Sequence, residues 1–388
     1  MSHQDHRWAA AWATAPQRPG TGFVPNWSEE GFADQTIRQT VRLSVGTNAL
    51  RVRLSNRYGA APLRVAGLTI ASAAGGSVIK SDTLRELTAD GKAAFTIPAG
   101  TDLVTDAVRS PVDALESVTV SLYLAEPSGP ATYHAQALAT TYRAAGDHLA
   151  DAEGTAFAET SQSFYYLDGI EVAAAAGSAD GIVVFGDSLT DGTGSTPDTD
   201  QRFPDLLAQR FVAAGRPRPV LNQGIGGNRV TVDSAWLGDR ATARFQHDVL
   251  ERPGVGTVVI LAGINDVAIS EIEQNSPFPV LAPYTEVSAE QVIDGHLEMI
   301  RQARGAGLRA VGATLLPMRG SAFSTSRSEA KRAAVNTWIR ESGAYDAVVD
   351  LALALGDALD PAHDSGDGLH LSDAGYRAMA EAVELAAL

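Results

Sequence analysis

The chain has 388 residues, 45% of them hydrophobic and 20% charged, which is enough apolar material for about two domains of ~100–200 residues. It contains no cysteine, so disulfides, thiolate catalysis and cysteine-based zinc sites are excluded. Acidic residues outnumber basic ones 46 to 30, for a formal net charge of −16, and so acidic a surface repels phosphate backbones and anionic headgroups, making nucleic acid and membrane surfaces poor partners.

The first half reads as β. Trp8–Ala13, after Arg7, is shorter than the ~7–15-residue core of a signal peptide. It is read as a first strand, with any signal peptide missing or already removed. From Ile37 the pattern alternates, with Ile37, Val41, Leu43 and Val45 on one face and Arg38, Thr40, Arg42 and Ser44 on the other. Leu50, Val52 and Leu54 alternate with Arg51, Arg53 and Ser55, and Val118, Val120, Leu122 and Leu124 with Ser117, Thr119, Ser121 and Tyr123. Period two marks half-buried strands with one wet face. Turn residues at Asn56–Gly59, Gly75–Gly76 and Pro127–Pro130 separate them. The expectation for residues 1–176 is an all-β sandwich, jelly-roll-like. Its aromatics Trp8, Trp12, Trp27 and Tyr58 could stack on sugars, although such residues are more often core.

The small residues of Ala173–Asp180 read as a linker. From 177 to 388 strands and helices alternate. Gly181–Phe185, Val220–Leu221, Thr257–Leu261, Arg309–Thr314 and Ala347–Leu351 are apolar runs suited to strands covered on both faces. Ser288–Gln291 and Ser326–Glu329 both fit the capping box, in which paired side chains satisfy orphan N–H groups. Val292, Ile293, Leu297, Ile300 and Ala303 then make a helical stripe. This predicts an α/β domain with a central parallel sheet and a ligand site at the strands' carboxyl ends. No apolar run approaches the ~18–20 residues of a membrane span.

Four islands sit at predicted strand ends or in late loops. Gly186–Gly192 places Asp187 and Ser188 directly after a strand. An α/β-hydrolase nucleophile elbow would need Gly where Thr190 stands. Asn222–Arg229 is glycine-rich, with Gly224, Gly226 and Gly227, so its backbone can take positive φ and present a bare N–H. Gly263–Asp266 offers the Asn265 amide as a donor, and Asp367 precedes His370 at a spacing that lets the carboxylate reach the imidazole.

Together these islands resemble the SGNH (GDSL-type) hydrolase family in its bacterial two-domain form. Ser188 stands in the first block, Asn222, Gly224 and Gly227 in the second, Gly263, Asn265 and Asp266 in the third, and Asp367 and His370 in the last, all in family order. The resemblance spans 182–388 and implies a three-layer α/β/α fold. It implies ester hydrolysis without cofactor or metal, with Ser188, His370 and Asp367 as the catalytic triad. The Ser188 N–H, the Gly227 N–H and the Asn265 amide would form the oxyanion hole. The partner would be a small-molecule or carbohydrate ester. Asp187 and, in the long segment 267–287, Phe278, Leu281 and Tyr284 are candidate substrate contacts; that segment could equally be a surface excursion. Two alternatives stay open: an acyltransferase using the same Ser188 intermediate, and a carbohydrate-binding protein whose hydrolase domain is idle.

Rival motifs fail on particular residues. A haloacid-dehalogenase loop ending in Asp191 would need Asp where Leu189 stands, and a dinucleotide fingerprint from Gly224 would need Gly where Arg229 stands. His363, Asp364, Asp367 and His370 could be drawn as a metal cluster, but no further ligand motif supports it.

Overall fold

The structure, a computed structural model, describes residues 7–174, 180–272 and 281–388. The chain divides into two compact units, Met1–Ser178 and Ala179–Leu388.

The first unit is built of antiparallel sheets. One runs Arg7–Ala13, Leu167–Ala174, Thr47–Ser55, Val108–Val112. Another runs Glu159–Ser161, Thr141–Ala145, Gln35–Arg42, Ser117–Leu124, Gly67–Gly75, Val78–Ile79. Leu50, Val52 and Leu54 from the first meet Ile37, Val41, Val118, Val120 and Leu122 from the second in one buried cluster. Two sheets closing on a shared core is the arrangement of a β-sandwich. Trp12 and Trp27 lie in that core, Trp27 stacked on Tyr165 with ring centroids 5.5 Å apart. Trp8 and Tyr58 are half-buried, each covered by an arginine guanidinium.

The expected wet face is not wet at its centre. Arg38 is fully buried, as are Ser121 and Thr119. The Arg38 guanidinium donates to Ser121 Oγ (3.0 Å) and to the carbonyls of Ser77 (2.6 Å) and His148 (3.2 Å), and it lies 4.2 Å from the Phe157 ring centroid. The outer face is thus roofed by chain from the same unit. Burial brings the Arg38 pKa down to about 10, and the ring and the three acceptors replace part of the lost hydration.

In the second unit five strands lie parallel in the order Val220–Gly224, Gly181–Gly186, Val255–Leu261, Arg309–Ala313, Ala347–Val349. The order reverses beside Gly181–Gly186, and a reversal opens a crevice at the strands' carboxyl ends. Right-handed crossovers in opposite directions put helices on both faces. Phe203–Ala213 packs with Asp373–Glu381, and Ala289–Gly305 packs with Ser326–Glu341.

Two local expectations are corrected. The second capping box starts one residue earlier: Thr325 Oγ1 accepts the Ser328 N–H at 3.0 Å and Ser328 Oγ accepts the Thr325 N–H at 2.9 Å. The same two orphan donors are satisfied, so Glu329 is released to bind Arg332. On Ala289–Gly305 the buried face is Val292, Gly295, His296, Met299, Ile300 and Ala303, while Leu297 is exposed. Sequence hydrophobicity favours Leu297, but His296 is drawn inside by two partners. Its Nε2 lies 2.9 Å from the Ala262 carbonyl and its Nδ1 2.5 Å from Tyr345 Oη.

Candidate active site

The strand Gly181–Gly186 is buried throughout and delivers the chain to Asp187. Asp187 Oδ1 accepts the Leu189 N–H at 3.1 Å, which starts the one-turn helix Ser188–Asp191 and places Ser188 at its first position. Turn contacts close behind it, with Gly192 and Thr193 donating to the Ser188 carbonyl at 2.8 and 3.0 Å.

The opposite wall is a loop folded around a carboxylate. Asp364 Oδ1 accepts the N–H groups of Gly366 (2.8 Å), Asp367 (3.1 Å) and Gly368 (3.0 Å), and Ser365 donates to the His370 carbonyl at 3.0 Å. Asp367 then uses both oxygens. Oδ1 accepts the N–H of Leu369 (2.9 Å) and of His370 (2.8 Å), and Oδ2 lies 2.6 Å from His370 Nδ1. His370 Nε2 lies 3.0 Å from Ser188 Oγ. The hydrogen bonds from the His370 ring and from these amides hold the Asp367 carboxyl well below the usual range. An ionised Asp367 fixes the proton on Nδ1, which leaves Nε2 as an acceptor for the serine hydroxyl. Thr196 ties the two walls by donating its N–H and Oγ1 to Asp373 (2.8 and 2.7 Å), and Tyr376 donates to the Thr193 carbonyl at 2.7 Å.

The glycine-rich island folds against the Ser188–Asp191 turn. A Cβ on Gly224 would lie 2.2 Å from the Asp191 nitrogen, closer than any side chain tolerates. Asp191 Oδ2 accepts the Gly226 N–H at 2.9 Å, and Gly227 follows at φ +74°, a conformation that favours glycine. Among the described residues the amides of Ser188 and Gly227 donate to no protein acceptor. Asn265 donates through Nδ2 to the Asn228 carbonyl at 3.1 Å, which ties it to the Gly227 loop and leaves it a second N–H.

Of the other candidates, Asp187 is buried and serves as the helix cap, and burial raises its carboxyl to about pKa 7. Leu281 and Tyr284 lie half-buried beyond a stretch that includes Phe278, which lies outside the described residues. The drawn metal cluster has other employment: Asp364 organises the loop and His370 Nδ1 faces Asp367.

Three structural roles escaped the sequence reading. Asp191 and Asp364 hold backbone amides, as described. The third is that of Arg244, a buried cation that ties strand ends together. It donates from Nη2 to the Gly186 carbonyl (2.6 Å), from Nη1 to the Gln223 carbonyl (2.9 Å) and Asp248 Oδ2 (2.8 Å), and from Nε to Asn228 Oδ1 (2.9 Å). The i, i+4 spacing to Asp248 was its one local signal.

Residues 184–378 match the GDSL-like Lipase/Acylhydrolase family. A comparison with curated proteins gave no match. Similar solved structures include an acetyl xylan esterase, AlAXEase (19% identity, 52% of this chain and 96% of that one, TM-score 0.39). Another is LAE5, an alpha/beta hydrolase enzyme from the metagenome of Lake Arreo, Spain (25%, 55% and 96%, TM-score 0.41). A third is Est24, a carbohydrate acetylesterase from Sinorhizobium meliloti (16%, 52% and 95%, TM-score 0.40).

Proposed function

Given that the chain belongs to the GDSL-like lipase/acylhydrolase family, we propose that it hydrolyses carboxylic esters through an acyl-enzyme on Ser188. The observation that carries this reading is the unbroken line from Ser188 Oγ through His370 to Asp367, at 3.0 and 2.6 Å. In the proposed reaction Ser188 Oγ attacks the ester carbonyl as its proton passes to His370 Nε2. Collapse of the tetrahedral intermediate breaks the bond to the alcohol, which leaves with that proton. Water, deprotonated by His370, then attacks the acyl-enzyme, releasing the acid and restoring Ser188. Asp367 holds the His370 tautomer and stabilises the imidazolium. The amides of Ser188 and Gly227 and the side chain of Asn265 are assigned to the oxyanion that forms twice in the cycle.

The test is intact mass after incubation with a fluorophosphonate, followed by a p-nitrophenyl ester series. One adduct on the wild type, none on Ser188→Ala and slow labelling of His370→Ala is the expected result. A folded wild type that takes no adduct and turns over no ester would overturn the proposal.

A further inference from the structure

Arg229 is the residue that spoils the dinucleotide fingerprint, and nothing in the reaction just proposed uses it. Only 1% of its surface is exposed. Its guanidinium donates from Nη1 to the Pro283 carbonyl at 2.8 Å and from Nη2 to the Thr285 carbonyl at 2.7 Å. Its Nε lies 3.9 Å from Asp266 Oδ1. Asp266, also fully buried, accepts the N–H of Val230 (2.7 Å), the N–H of Thr231 (3.1 Å) and the Thr231 hydroxyl (2.8 Å). A further bond runs from Ser234 Oγ to the Ala282 carbonyl at 2.9 Å.

These contacts join three stretches of chain. Arg229 stands two residues after Gly227, and Asp266 directly follows Asn265. Among the described residues the segment they grip, Leu281–Thr285, pairs with no strand, and the carbonyls of Ala282, Pro283 and Thr285 are taken by side chains. A planar guanidinium can hold two carbonyls at once in a fixed geometry, which an ammonium cannot reproduce. We propose that Arg229 is a positioning residue that docks Leu281–Thr285 against the loops carrying Gly227 and Asn265, making that segment the wall that selects the acyl group. The assignment rests on the hydrolase reading above. It explains why a cation is buried here at all: the guanidinium, neutralised by Asp266, sets the distance between the proposed oxyanion donors and the wall.

The experiment compares wild type, Arg229→Lys and Arg229→Met on p-nitrophenyl acetate, butyrate and octanoate, alongside chymotrypsin cleavage after Tyr284. A wall misplaced by roughly an ångström changes discrimination strongly, so Arg229→Met is expected to shift the acetate-to-octanoate ratio of kcat/KM by about tenfold. Arg229→Lys, keeping the charge without the fork, should fall between. Both variants should be cut faster after Tyr284 while fluorophosphonate still labels Ser188. If Arg229→Met does not fold, Arg229→Lys decides the matter. An active, folded variant with an unchanged ratio and unchanged cleavage would overturn the role of Arg229 and leave the hydrolase reading standing. A wild type that neither labels nor turns over would sink the hydrolase reading and the selectivity role with it.

Discussion

Asn265 differs from the other two proposed oxyanion donors in being a side chain, so it can be removed without disturbing the backbone. One of its N–H bonds is spent on the Asn228 carbonyl, and that bond aims the other. Charge on the substrate oxygen appears chiefly in the transition state, so losing this donor should weaken catalysis more than binding. Asn265→Ala is expected to lower kcat by ~10²–10³ with little change in KM. Steady-state kinetics on one ester would show it, and a change confined to KM would remove Asn265 from the oxyanion site. The pairing of Asp367 with His370 was legible because it is encoded locally, whereas the meeting of Ser188 with His370 across 182 residues was legible through the family resemblance alone. Asp367 reaches His370 from three residues away, and Ser188 follows a strand. Arg244 was not legible. Its acceptors Gly186, Gln223 and Asn228 lie 58, 21 and 16 residues off, and two of the three are backbone carbonyls that carry no residue signature.

Among the elements, one tight joint lies between the Ser188–Asp191 turn and the end of the strand Val220–Gly224. Backbone meets backbone there, so neither side can yield. Gly224→Ala would push a methyl to 2.2 Å from the Asp191 nitrogen and must spread the two segments. The expected cost is about 3 kcal/mol, at the upper end for overpacking. It should be seen as a lower urea midpoint together with slower labelling of Ser188, because the shift moves the turn that bears it. Full stability with full labelling would show that the joint is looser than the structure implies. Strand positions in this unit were readable from continuous apolar runs. The helix face was misread at Leu297 because hydropathy cannot see that His296 finds two buried partners, and the cap at Thr325 because two adjacent hydroxyl residues compete for one role.

For the unit as a whole, two buried groups pull stability in opposite directions with pH. Burial holds His296 near pKa 4, against 6.5 for an ordinary imidazole. The unfolded chain therefore takes up a proton first, and the contribution of His296 is lost as pH falls from 6.5 towards 4. Asp187 is the reverse, raised from 3.8 to about 7. The folded state keeps a proton that the unfolded chain gives up, so its contribution is lost as pH rises through that window. Where the windows overlap, each slope is at most about 1.4 kcal/mol per pH unit, and they oppose each other. Asp187→Asn removes one of them. The variant should lose stability on acidification more steeply than the wild type, read from urea midpoints at about pH 4.5 and about pH 6.5. Parallel slopes in the two proteins would mean that Asp187 is ionised in the folded state.

Ser188 and His370 are 182 residues apart in sequence, with four of the five parallel strands threaded between them. A ribosome adding ~5–20 residues per second needs roughly 10–40 s to pass from one to the other. Through that interval the nascent chain carries a serine with no base beside it. On the proposed reaction, the emerging chain is therefore chemically silent towards esters until the loop from Asp364 to Leu371 comes into place.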